Sequence, residues 1–276
     1  MRQTEISRTV LAPPTGWLRL DLRDLWDYAD LLYFLVWRDV KVRYKQTLLG
    51  VTWAVLQPVL TMVVFTIFFG RLARMPSNGV PYPLFVFCGL LPWTLFAHAL
   101  TESSNSLVGN QNLITKVYFP RLVVPIAAVL GGLVDFAVSL VLMLGMMAWF
   151  GMAPTGAVIV LPLLLVMAIA TSLAAGLWLS ALNVRYRDVR YTIPFLSQLW
   201  LLATPVAYPA ALMPEQWHLI YGLNPMAGVV EGFRWALLGT PLPTALLLTS
   251  TPVVLVLLVS GLIYFRRVES SFADVV

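Results

Sequence analysis

Long uncharged apolar runs alternate along this chain with short stretches where arginine and lysine collect. The runs at 51–70, 84–100, 122–150, 158–182, 193–211 and 245–265 each come near the roughly 20 residues that a helix needs to cross a hydrocarbon core of roughly 30 Å. They predict six spanning helices, with Pro58 kinking the first and Gly89 and Pro92 interrupting the second. Residues 122–150 and 158–182 form an antiparallel hairpin closed by the tight turn from Gly151 to Gly156. The stretch 213–239 is of another kind. Pro214 and Pro225 divide it into two pieces of about ten residues, too short to span. It reads as two re-entrant helices that dip into the outer leaflet and return, the second begun by Asn224 as cap and Pro225 in the first turn.

Upstream of the first run the pattern becomes amphipathic. Between Asp21 and Trp37 apolar residues recur at Leu22, Leu25, Ala29, Leu32, Tyr33, Val36 and Trp37, while Asp21, Asp24, Asp27 and Asp30 hold the opposite face. This spacing predicts a helix lying in the membrane interface, with Trp26, Tyr28 and Trp37 at headgroup depth. The chain divides accordingly into 1–50, a cytoplasmic N-terminus with an amphipathic interface helix, and 51–276, a single six-span transmembrane domain. The expected fold is all-α integral membrane, with re-entrant helices at the outer mouth.

Composition agrees: 59% of residues are hydrophobic and only 11% charged, against roughly 25% charged in a soluble domain. The net charge of +5 does not point to nucleic acid, because the cations stand at the ends of apolar runs, where topology and anionic lipid account for them. With both termini cytoplasmic, only Arg71, Arg74 and Arg234 of the 18 lysines and arginines fall outside, as the positive-inside bias requires. Cys88 is alone and forms no intrachain disulfide. The first residues, with Arg2, Glu5, Arg8 and Arg19, hold no apolar core, so a cleavable signal peptide is not expected and the spans drive insertion.

The basic segment before the first span carries Arg38, Lys41, Arg43 and Lys45, then Tyr44-Lys45-Gln46-Thr47, Leu49-Gly50 and Trp53-Ala54, ending at Pro58. This order resembles the corresponding segment of permease subunits of type-2 ABC exporters that move bacterial surface polysaccharides: O-antigen, capsule and teichoic acid. Three more segments match that family in order. Asn112 to Arg121 (NLITKVYFPR), within Glu102 to Arg121, and Arg185 to Arg190 (RYRDVR), within Asn183 to Tyr191, resemble its two cytoplasmic coupling segments. Asn224 to Arg234 resembles its outer gate helices.

The resemblance covers about residues 21–265. It implies the permease of an inner-membrane ABC transporter for a lipid-linked polysaccharide, O-antigen foremost, acting as a homodimer with two copies of a separate ABC ATPase. Asn112, Lys116, Arg121, Arg185, Arg187, Asp188 and Arg190 are then expected to couple to the ATPase. Asn224, Pro225, Glu231 and Arg234 would form the outer gate, and Glu231 and Arg234, at i and i+3, can pair on one face.

No GxxxxGK[ST] phosphate loop occurs in the chain, so it is not expected to be an enzyme; ATP and Mg belong to the partner. An ion-coupled carrier needs ionisable groups deep in its spans, and Asp135 is the only one well inside. Burying it costs about 2.5–3.5 kcal/mol, which predicts a hydrogen bond to a neighbouring helix, a hydroxyl being one candidate partner. A drug or lipid exporter of the same fold and an ATP-independent carrier or channel remain as alternatives. Arg38, Lys41, Arg43 and Lys45 are expected to guide the pyrophosphate of the lipid-linked glycan, with pure topology as the competing explanation. Trp53, Phe65, Phe69, Trp200 and Tyr208 are candidates to stack on sugars in the conduit, against a role in interface belts and packing. His98 and His218 have no partners at metal-ligand spacing, so no metal site is expected.

Overall fold

The computed structural model describes residues 26–45, 51–186, 188–269 and 272. Among these residues the secondary structure is helical, without strands. The helices are α1 Ala29–Lys45, α2 Val51–Phe65 with a π-helical continuation Thr66–Leu72, α3 Tyr82–Gly109, α4 Gln111–Lys116, α5 Val123–Gly131 and α6 Leu133–Trp149. They continue with α7 Leu161–Arg185, α8 Val189–Ala203, α9 His218–Tyr221, α10 Pro225–Leu238 and α11 Thr244–Glu269. Among the described residues, five segments are long and apolar enough to cross a bilayer: Thr52–Leu72, Tyr82–Gly109, Val123–Trp149, Gly156–Arg185 and Thr244–Glu269.

The run at 193–211 takes a shorter form. Helix α8 has 15 residues, about 22 Å at 1.5 Å per residue, and ends where Thr204 turns extended. The Thr204 hydroxyl donates to Trp200 O at 2.7 Å.

Helix α3, by contrast, outruns its apolar stretch and takes in Glu102–Gly109, the first part of the polar segment 102–121. Ser104 Oγ donates to Leu100 O (2.5 Å), Asn105 Nδ2 to Thr101 O (2.9 Å) and Ser106 Oγ to Ser103 O (2.7 Å), so these polar side chains fold back onto their own helix. The helix also runs unbroken through Gly89 and Pro92, a kink being tolerable where neighbouring helices enclose it.

Helix α3 is the axis of the bundle, with 78% of its apolar window buried in the protein against 6% for the first span. One core joins Phe85, Phe87, Leu91 and Phe96 of α3 to Phe136 and Met143 of α6, Leu164 of α7 and Phe233 and Leu237 of α10. A second core lies where α3, α7 and α11 finish and α5 begins, joining Leu35, Leu107, Phe119, Val123, Leu177, Val184, Phe265 and Phe272. This is the basic end of the molecule, near which Arg121, Arg185, Arg266 and Arg267 stand.

Helix α1 packs there through Tyr28, Leu31, Leu32, Leu35 and Val36. Tyr33 and Trp37, of the apolar face expected to lie in the membrane interface, are exposed together with Trp26. These three form an outward aromatic stripe at helical spacing, suited to an interface belt. Asp27 and Asp30 are exposed as expected, and Asp21 and Asp24 lie outside the described residues.

Candidate functional site

At the basic end, α1 runs along α5 and delivers its last turn to Asp135, in the first turn of α6. Arg43 Nη1 lies 2.5 Å from Asp135 Oδ2, and the Tyr44 hydroxyl donates to Asp135 Oδ1. Burial, and next the hydrogen bond to Asp135, push the Tyr44 phenol well above its ordinary pKa, which keeps it protonated as a donor. His98 Nε2 stands 3.8 Å from the same carboxylate. The isolated acid of the third span is thus bonded to a hydroxyl and a guanidinium.

Beside this joint a cavity of about 490 Å³ opens between α1, α3 and α5. Arg38, Asp39 and Arg43 line one wall, Glu102, Asn105 and Asn110 the facing one, and Val124, Ala127 and Ala128 the floor. Of the four basic residues singled out from sequence, Arg38 and Arg43 reach this cavity. Lys41 and Lys45 are exposed, the Lys41 ammonium 5.4 Å from the Trp37 ring. Arg38 also holds Asp39 at 2.7 Å.

The two expected coupling segments lie side by side at this end. Asn112 and Lys116 are exposed on α4, followed by exposed Val117 and Tyr118. Arg185, Asp188 and Arg190 are exposed too, with the Arg185 guanidinium 5.6 Å from the Tyr186 ring; Arg187 lies outside the described residues. Arg121 faces inward instead. Its backbone N–H donates to Glu269 Oε1 (3.1 Å) and its guanidinium to Glu269 O, tying the segment to the end of α11.

Sequence reasoning passed over Asn183. It is buried, and its Nδ2 donates to Ser104 O (2.9 Å) and Asn105 Oδ1 (3.1 Å), fastening the roots of both segments together. The signal was an amide inside an apolar run just before the arginines.

At the opposite end, α10 is buried at every residue except Trp235. Asn224 caps it, Oδ1 accepting from Met226 N (3.1 Å) and Trp200 Nε1 (2.9 Å). Its Nδ2 donates to Ala203 O (3.1 Å) and Thr204 Oγ1 (3.0 Å), so one amide joins the end of α8 to the start of α10. Pro225 follows at the first position, and Gly239 closes the helix at φ 73°, a left-handed geometry that glycine adopts freely.

Arg234 is fully buried in this region. It pairs with Glu231 Oε1 at 3.1 Å and donates to Val206 O (2.6 Å) and Phe85 O (3.3 Å), and its guanidinium lies 3.6 Å from the Phe85 ring. Glu231 in turn accepts from Ala210 N at 2.7 Å. Gly89 is needed beside them, since a Cβ there would come within 2.8 Å of Arg234 Nη2.

The aromatic candidates separate into two groups. Trp53 is exposed, and Phe65 and Phe69 meet edge to face at 5.4 Å along α2. Trp200 packs on Phe96 at 4.8 Å, while Tyr208 donates to Leu202 O (2.9 Å) and accepts from the Tyr221 hydroxyl (3.1 Å). These last two belong to the structure around α10. Among the described residues no three His, Cys, Asp or Glu side chains gather closely enough to hold a metal ion.

Residues 30–238 match the family described as ABC-2 type transporter. An O-antigen export system permease protein RfbA of Myxococcus xanthus is 34% identical over 253 residues, 90% of this chain and 96% of the relative. A protein of the same name from Klebsiella pneumoniae is 28% identical over 247 residues, 89% of this chain and 95% of its own. The polysialic acid transport protein KpsM of Escherichia coli is 24% identical over 204 residues, 73% of this chain and 78% of the relative.

Proposed function

The chain belongs to the ABC-2 type transporter family as a permease, and from that premise we propose that its cargo is a lipid-linked polysaccharide, O-antigen foremost, exported across the bacterial inner membrane. The observation that carries this reading is the 34% identity with an O-antigen export permease across 90% of the chain. A separate ATPase binds ATP and Mg and hydrolyses the ATP, two copies of it serving a homodimer of this chain. The first span supports the second copy: with 6% of its apolar window buried, its outer face is available, and two bundles about a twofold axis enclose a passage that one has no room for.

The basic end faces the cytoplasm, as the charge bias favours, with both termini on that side. There Arg38, Lys41, Arg43 and Lys45 receive the pyrophosphate of the carrier lipid, each cation gaining about 1 kcal/mol near anionic groups at the surface. Exposed Asn112, Lys116, Arg185, Asp188 and Arg190, together with Arg187, meet the ATPase. Arg121 holds the first of these segments to α11 from behind. Helix α10 with Asn224, Pro225, Glu231 and Arg234 forms the gate at the periplasmic mouth.

The test is deletion and complementation. Cells without this chain should lose long-chain surface polysaccharide and accumulate the lipid-linked glycan on the inner side, and the ATPase should co-purify with the tagged permease in equal amount. Unchanged surface polysaccharide in the deletion strain overturns the reading.

A further inference from the structure

The cavity at the basic end offers more than positive charge. Arg38 and Arg43 stand on one wall, and across from them Glu102 and Asn110 present acceptors. Glu102 is exposed, and among the described residues its carboxylate has no hydrogen bond or ion pair. Asn110 uses its amide N–H on Ser106 O (2.8 Å), leaving Oδ1 without a partner among the same residues. Asn105 is already engaged through Thr101 and Asn183, so it shapes the wall without recognising anything. A carboxylate beside two arginines is wrong for a bare phosphate, which it repels. The combination suits a phosphate joined to a group rich in O–H or N–H donors.

Resting on the cargo reading above, we propose that this cavity recognises the first sugar of the lipid-linked glycan. Glu102 and Asn110 accept hydrogen bonds from hydroxyl or N-acetyl N–H groups of the ring, while Arg38 and Arg43 meet the diphosphate. Val124, Ala127 and Ala128, nearly buried themselves, close the cavity's inner side with apolar atoms. The volume of about 490 Å³ falls within the roughly 300–1,000 Å³ of small-ligand sites, room for a diphosphate and the first of the sugars while the rest of the chain stays outside.

Binding to the purified permease–ATPase complex tests this, with farnesyl diphosphate and the same lipid carrying one glucose or one N-acetylglucosamine as probes. The unaltered complex should bind at least one glycosylated lipid roughly tenfold more tightly, as one hydrogen bond to a charged acceptor allows. In the double variant Glu102→Ala with Asn110→Ala, which removes both acceptors, the glycosylated and bare lipids should bind alike, and binding of the bare diphosphate at least as tight as before shows that the variant is folded. Arg38→Gln should weaken all three lipids alike. Equal affinities in the unaltered complex, or a sugar preference that survives the double variant, overturn the proposal. So does displacement of the glycosylated lipid by phosphatidylethanolamine, whose ammonium would suit Glu102 and mark a membrane-lipid site. If no farnesyl lipid binds, the cargo reading falls with it, an outcome distinct from loss of the sugar preference alone.

Discussion

Each end of the bundle joins an arginine to a carboxylate, and the two joints stand in different surroundings. In the Glu231–Arg234 pair the side chains are 9% and 0% exposed, and the guanidinium is also held by carbonyls of residues far away in the chain. In the Arg43–Asp135 pair they are 32% and 25% exposed, beside an open cavity. A buried pair that loses one partner leaves an unpaired charge in a low dielectric. A pair that water can reach exchanges one solvation for another at little cost. The ion pair between α1 and α6 therefore adds little to what holds α1 in place, whereas α10 is tied through Arg234 and Glu231 to Val206–Ala210 and the start of α3. The end of the bundle held by Arg234, built this way, is fastened as a block.

Four substitutions break or sharpen that contrast. Arg234→Met strands Glu231 and should cost about 3–5 kcal/mol, read as a large fall in thermal stability in detergent or as failure to purify; stability equal to the unaltered protein would mean that the buried joint does not hold this end. Asn224→Ala removes the cap of α10 and the acceptor of Trp200, at about 2 kcal/mol. Hydrogen exchange should then accelerate in α10 and the last turn of α8 while α1 stays as before.

Asp135→Asn should cost about 1 kcal/mol or less, with faster exchange in α1 and none of the change in α10. A loss as large as that of Arg234→Met would erase the distinction between the two ends. Lys41→Gln, at an exposed position, should stay within about 0.5 kcal/mol in stability, yet slow export when the lipid-linked cargo is scarce. Full export there at low cargo would assign this lysine to topology alone.

What the chain determines by itself is local. The spans at 158–182 and 245–265 are legible because a hydrocarbon core demands a fixed length of uncharged helix, and the start of α10 because a cap and a first-turn proline act within a few residues. Whether Glu102–Gly109 is helix or loop was not legible, since serine and asparagine bond as readily to their own helix as to a turn, and packing beside Asn183 and Leu107 decides. The outward turn of Tyr33 and Trp37 depends on which ridge of α1 meets α5. Asp135 announced that it needed a partner, but Arg43 lies 92 residues away, and Arg234 read as one external charge among three until its ring of carbonyls was in view. Length, period and capping are properties of neighbours along the chain. Which distant groups meet, and whether water reaches them, is set only when the helices pack.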